Sequence, residues 1–215
     1  MIKVENINVF NFDGALRGMR NPLESWDQSD SYWKYNSELR SGMEYIIGPN
    51  DLSLALKLIK AGSDHSKFIR QVFVSMDITA PLYWWKEFDT YKIGTVANST
   101  STMHTIHKTK IAPDPKLFSI EKLDKESYEV FSDYCYYLEH LRNAYLKTKS
   151  KETWNQLIQM LPSSFNQTRT ITMNYAVLSN MYHSRKSHKL SEWLDFCKVI
   201  EGLPYSQLIT VGGKY

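Results

Sequence analysis

From Val72 to Ile78 an apolar side chain falls on every second residue: Val72, Val74, Met76 and Ile78. Alternation of that length predicts a strand over Phe68 to Ile78 with one face against a core. The chain leaves it through Thr79, Ala80 and Pro81. Proline is tolerated in the first turn of a helix, so the next residues, Leu82 to Phe88 with Trp84 and Trp85 side by side, read as a short aromatic helix. Gly94 reads as its stop. Beyond it Thr95 to His104 is rich in small hydroxyl residues. That run reads as a polar loop, whose hydroxyls and backbone N–H groups suit an anion. Strand, aromatic helix and polar loop together are the expected wall of a ligand site.

The other elements follow from the same periodicities. Ile2, Val4, Ile7, Val9 and Phe10 predict a first strand, broken near Asn6. Asn11 to Asp30, with Gly14, Gly18, Pro22, Arg17 and Arg20, reads as an irregular loop or a short helix, a surface connection in preference to a lid that brings arginines to an anion. A short helix is expected from Asp30 to Arg40 and a strand from Met43 to Ile47. Pro49 opens a helix that stops at Gly62. Asp124 to Lys149 is the clearest helix, with Phe131, Tyr134, Cys135, Leu138, Leu141 and Tyr145 at helical spacing. Thr153 to Met160 is a second helix, and Gln167 to Asn174 alternates as a strand. Tyr175 to Ser184 and Leu190 to Glu201 read as helices, and the tail from about residue 204 as loose. Strands and helices mix without a βαβ rhythm, which favours an α+β fold over a doubly wound sheet.

Composition excludes several classes of function. A net charge of +3 and no block of lysine or arginine argue against nucleic-acid binding. No apolar stretch reaches the roughly 18 residues a membrane span needs, and no secretory signal precedes the first strand, so the cytoplasm is the expected location. Cys135 and Cys197 lie far apart in helices and read as reduced core residues. His104 and His107 lack a third ligand nearby, so no metal is expected. Gly212 and Gly213 precede no helix, and no phosphate loop or nucleophile elbow is present.

What remains is polar residues at element ends. His65 precedes the long strand. Tyr91 and Lys92 lead into Asn98, Ser99 and Ser101. Asn174, Asn180, Arg185 and His188 follow the last strand. Asn174 and Arg185 are three helical turns apart, so one helix face can present both. An arginine fork matches a phosphate or a pyrimidine carbonyl edge.

These residues resemble those of the flavin-dependent thymidylate synthases. The family's signature runs Arg-His-Arg-x-x-Ser-x-Asn-Glu-x-Ser-x-Arg-Tyr after an Ala-Pro strand end and an Arg-Gln pair. Here Ala80-Pro81 matches the strand end, Lys86-Glu87 falls at the pair, and Thr90-Tyr91-Lys92 at Arg-His-Arg. Thr95 falls at the first serine. With one residue inserted, Asn98 to Ser101 falls at Asn-Glu-x-Ser and Met103-His104 at Arg-Tyr. His65 falls on the flavin-contacting histidine. The second half agrees: Leu161-Pro162, a threonine-rich strand, Asn174, Asn180 and Arg185 at the family's spacing, then His188 after a one-residue deletion. Thr90, Tyr91, Ser99 and Met103 replace the signature's Arg, His, Glu and Arg. Ile158 stands where the family has a phosphate-gripping arginine.

The resemblance implies one α+β domain over residues 1–215, a mixed or antiparallel sheet flanked by helices. It implies reductive methylation of dUMP to dTMP, with FAD as cofactor and methylene-tetrahydrofolate and NADPH as co-substrates, in a homotetramer with sites between subunits. Arg185 takes the position of the catalytic arginine that polarises the uracil. His65, Tyr91, Lys92, Ile93, Asn174, Asn180 and His188 fall at flavin-binding positions. Glu87, Ser99, Ser101 and Arg185 fall at nucleotide-binding ones. The alternative is a relative that binds a nucleotide without catalysis, or acts on a different pyrimidine nucleotide.

Overall fold

The computed structural model describes residues 2–38 and 42–212. Arg40, the end of the helix expected from Asp30, and Gly213 lie outside the described residues. The fold is α+β, with a four-stranded sheet in the order β1 (Lys3–Phe10), β4 (Phe73–Pro81), β6 (Asn166–Asn174) and β5 (Thr95–Ser99), and helices flanking it. A separate two-stranded sheet pairs β2 (Tyr32–Tyr35) with β3 (Met43–Ile46). The chain divides into two compact units. The first comprises Met1–Glu5, Asp77–Thr90 and Ala97–Thr170; the second Asn6–Met76, Tyr91–Val96 and Ile171–Tyr215.

The sheet's central pair is antiparallel. Hydroxyls mark the register: Thr168 with Thr79 at 2.7 Å, Thr170 with Asp77 at 2.6 Å, and Thr172 with Ser75 at 3.4 Å. Each step forward by two residues on β6 is a step back by two on β4. The opposite faces of the same strands bury Val74, Met76, Ile78, Ile171 and Met173, the one-sided pattern that alternation requires.

In the first unit, β4 runs into α3 (Leu82–Phe88) with Pro81 at the junction. The long helix α5 (Lys125–Thr148) is capped by Asp124, whose carboxylate accepts from Ser127 N at 2.8 Å, and it ends at Lys149 in the left-handed region. α5 packs on α6 (Lys151–Gln159), and Phe118, Cys135, Leu138 and Leu157 form the centre of their core. A short helix α4 (Thr102–Thr105) precedes them.

In the second unit, α1 (Phe12–Arg20), α2 (Pro49–Ala61), α7 (Tyr175–Arg185), α8 (Ser191–Glu201) and α9 (Gln207–Thr210) enclose a core that includes Leu16, Ile59, Tyr175, Leu178, Met181 and Phe196. Arg20 and Asp51 are both buried and meet at 2.6 Å. Ser29 and Ser31 also donate to the Asp51 carboxylate, at 2.6 and 2.5 Å, and Asp30 accepts from the Asn50 and Asp51 amides at the start of α2. Cys135 and Cys197 are free and buried, and burial pushes both thiols up to about 11.

Five local expectations differ from the structure. Asn11 to Asp30 is not a mere surface connection: Phe12–Arg20 form α1, which buries Phe12, Ala15, Leu16, Met19 and Arg20. Tyr32 to Tyr35 form a strand, because Tyr32, Trp33 and Tyr35 pair with Ile46, Tyr45 and Met43 of β3, and cross-strand aromatic contacts outweigh a weak helical pattern. The segment before Phe73 is a 3₁₀ turn, Lys67–Gln71, which buries the adjacent Phe68 and Ile69 together. Thr95 to Ser99 are an edge strand, as their β-branched residues suit. The C-terminal segment is not loose: Leu208 and Ile209 are buried, and the Tyr205 hydroxyl accepts from Ile47 N at 2.8 Å. Among the described residues no helix is long and apolar enough to cross a membrane.

The Asp51 network makes stability depend on acid. Burial raises the Asp51 carboxyl, but hydrogen bonds from Ser29, Ser31 and Arg20 outweigh it and leave it below its ordinary 3.8. Its contribution is therefore complete above that value and is lost as the pH falls below it. Arg20→Ala is expected to lower unfolding free energy near neutral pH by about 3–5 kcal/mol, because it strands a buried carboxylate. Urea unfolding of wild type and Asp51→Asn should show a gap at neutral pH that narrows in acid.

Candidate functional site

β6 ends at Asn174 and α7 begins at the next residue, without a loop. The Asn174 carboxamide oxygen accepts from Val177 N at 3.0 Å, so the last strand residue is also the helix cap. Nearly every residue of α7's first two turns is buried, and Arg185 closes its last turn half-exposed. At about 1.5 Å per residue, the eleven steps from Asn174 to Arg185 span about 16 Å along one stripe of the helix. Asn180 stands about 140° around the helix from Arg185.

Arg185 is braced from two directions. Its Nε donates to the Tyr91 hydroxyl at 3.0 Å, and its guanidinium lies 4.7 Å from the centre of the Trp193 ring. Trp193, in α8, is fully buried, and Tyr91 meets its edge. A cation over an indole face is attracted by the ring's quadrupole. Hydroxyl and ring together fix both the position and the plane of the fork. His188 joins the cluster: its N–H donates to Arg185 O at 2.9 Å, its Nδ1 accepts from Leu190 N at 3.2 Å, and its ring lies 6.4 Å from Trp193.

The turn from Tyr91 to Gly94 runs along α7. Tyr91 is at the helix's C-terminal end, while Gly94 packs at its start. A Cβ built on Gly94 would lie 3.1 Å from Val177 Cγ2 and 3.2 Å from Asn174 Nδ2, and φ there is +78°. Lys92 and Ile93, between them, are exposed, Ile93 by 93%.

The structure thus brings Tyr91, Arg185 and His188 together, with Asn174 at the far end of the same helix stripe. Asn180 lies on the same helix, round its side. His65 is exposed after α2, with its backbone N–H on Gly62 O. Glu87, Ser99 and Ser101 belong to the first unit. Glu87 is half-buried in α3, its carbonyl held by Thr90; Ser99 ends β5; Ser101 caps α4 through its backbone. Among the described residues no group of three or more His, Cys, Asp or Glu is placed to hold a metal ion.

Two features were not legible beforehand. By sequence Trp193 is simply one residue of the helix expected over Leu190 to Glu201; an indole eight residues after a candidate arginine is the available signal. The Trp84-Trp85 pair is core, not ligand surface. Both are buried, and Trp85 Nε1 donates to Gln167 O at 3.0 Å. The Arg169 guanidinium lies 4.2 Å over Trp85 and pairs with Asp89 at 2.7 Å. Arg20 is not available to a lid, since it is committed to Asp51, while Arg17 is exposed on α1.

Among solved structures, two of the flavin-dependent thymidylate synthase ThyX from Helicobacter pylori, each described with FAD and dUMP, share this fold. Both superpose with a TM-score of 0.72 at 18% sequence identity. One alignment covers 98% of this chain and 97% of the other; the second covers 99% of each. No protein-family model and no curated protein sequence matches the chain.

Gly94→Ala is expected to destabilise the protein by about 1–2 kcal/mol, from the left-handed backbone alone. The loss should appear as a lower midpoint in thermal unfolding. Gly62→Ala is expected to destabilise as well, since φ there is +112° even though its added Cβ meets nothing within 4 Å.

Proposed function

We propose that this chain is a flavin-dependent enzyme that reductively methylates the pyrimidine of dUMP, with methylene-tetrahydrofolate as the one-carbon donor and NADPH as reductant. The carrying observation is Arg185, held by Tyr91 and Trp193 at the end of a helix that starts from the sheet at Asn174. The fold shared with thymidylate synthases supports it.

The donor set suits the group. A guanidinium, a phenol, an imidazole and two carboxamides offer hydrogen bonds to a flat ring edged with carbonyl oxygens. His65, Tyr91, Lys92, Ile93, Asn174, Asn180 and His188 would hold FAD. Glu87, Ser99, Ser101 and Arg185 would hold the nucleotide, in sites shared between subunits of a cytoplasmic homotetramer. When bound, the flavin supplies the hydride. The protein's own task is position and charge. Arg185 holds its cation beside the uracil oxygen that gains negative charge, and a pre-oriented donor lowers the barrier without reorganising. Tyr91 and Trp193 keep the fork in that orientation. Asn174 has its oxygen committed to the helix cap, so it faces a ligand with its amide N–H groups.

One observation favours a second reading. Ile158 packs against the apolar core of the first unit, at the place where the family resemblance expects an arginine for the phosphate. A relative that binds another pyrimidine nucleotide, or binds without turnover, fits that substitution.

The absorption spectrum of purified protein incubated with FAD is the first test, and rescue of a thymidine-requiring strain the second. Flavin uptake with rescue by wild type is expected, and Arg185→Ala should lower turnover by about 100-fold or more. Uptake without rescue selects the second reading. Protein that takes up no FAD contradicts the flavin reading.

A further inference from the structure

Away from α7, the second unit contains a groove of about 980 Å³ between β1, the β2–β3 hairpin and the segment at Tyr205. That volume is at the upper end of what small-molecule sites occupy. Five aromatic rings line it: Phe10, Phe12, Trp33, Tyr45 and Tyr205. Each is steadied by another ring. Phe10 stacks on Phe73 at 5.7 Å, Trp33 meets Tyr45 edge-on at 5.0 Å, and Tyr205 meets Phe12 at 5.3 Å. Tyr205 is further anchored by Ile47 N. Yet Phe10 and Trp33 remain 41% and 52% exposed. Large rings held this firmly while open to water are a built surface rather than a mobile one.

The charge of the groove narrows its ligand. Its described lining carries two carboxylates, Glu38 and Glu44, and no lysine, arginine or histidine. Asn36 Nδ2 donates to Glu44 Oε2 at 2.9 Å, which fixes that carboxylate. Lys34 stands opposite Glu44 in the hairpin but does not line the groove. Aromatic faces with carboxylates beside them attract cations and repel anions. We propose that this groove is a binding site for a small organic cation with a flat ring, such as an N-alkylated aromatic heterocycle. It shares no residue with the proposed flavin site, and its selectivity is opposite to that of an anionic nucleotide.

Isothermal titration of the full chain with three flat probes tests this: N-methylacridinium, uncharged acridine and naphthalene-2-sulfonate. The cation should bind best, and the sulfonate should give no binding heat. Glu44→Gln should weaken the cation about tenfold and leave acridine unchanged, while Trp33→Ala weakens both. Trp33→Phe keeps a ring and should retain most of the binding, and Arg185→Ala should change nothing. Thermal unfolding of each variant checks that it is folded, and Glu38→Gln, at an exposed position, replaces Glu44→Gln should that variant not fold. The proposal is overturned if the sulfonate binds as tightly as the cation, if neither carboxylate variant changes the cation's affinity, or if the cation gives no heat at all.

Discussion

Asn174 is at once the last residue of a central strand and the cap of a buried helix, and the site's geometry depends on that junction. Its extended backbone, φ −116° and ψ 169°, ends β6, and its carboxamide satisfies one of the first free N–H groups of α7. The next residue uses its own N–H on Val72 O at 3.0 Å, just before β4 begins. No loop intervenes that could let the helix swing. Buried polar anchors then lock α7 about its axis: the Tyr175 hydroxyl donates to Pro204 O at 2.6 Å and Ser179 Oγ to Ile209 O at 2.9 Å. Rotating the helix would strand these groups without partners, which is unfavourable in a buried setting. Arg185 therefore emerges at a position set by the sheet register eleven residues earlier.

The same helix explains why Gly94 and Tyr91 stand where they do. Close approach of the turn to Val177 and Asn174 would crowd a side chain at residue 94, whose backbone is also left-handed. From there three residues carry the chain to the other end of α7, where the Tyr91 hydroxyl accepts from Arg185. A buried indole behind the guanidinium completes the brace. A fork held on a ring face and by a hydroxyl loses little freedom when a ligand arrives, which is what an electrostatic role requires.

Strong periodicity was the legible part of the chain. α5 and α2 stand where their apolar spacing and their caps predicted, and β4 and β6 where period-two alternation did, apart from β4's first turn. Asn6, where the first strand was expected to break, has φ +52° within an otherwise continuous β1. Elements decided by distant partners were less legible. β2 is a strand because β3 faces it, and α9 is packed because Ser179 and the core of α7 receive it. Within the site, Asn174, Arg185 and His188 could be picked out from polar residues at helical spacing, whereas Trp193 was hidden among the apolar residues of α8. The Trp84-Trp85 pair misled in the opposite sense. Adjacent indoles suit a flat ligand or a core equally well by composition; the burial of both rings, with Trp85 bonded to Gln167 and under Arg169, separates the two.

The central claim is that the Tyr91–Gly94 turn and the last turn of α7 form a single ligand-binding surface. Hydrogen exchange of the backbone amides, measured with and without FAD and dUMP, tests it most directly. Slower exchange at Tyr91 to Thr95 and at the C-terminal turn of α7, with the β2–β3 hairpin unchanged, is the expected result. Ligand binding that leaves both of those segments unprotected would contradict it.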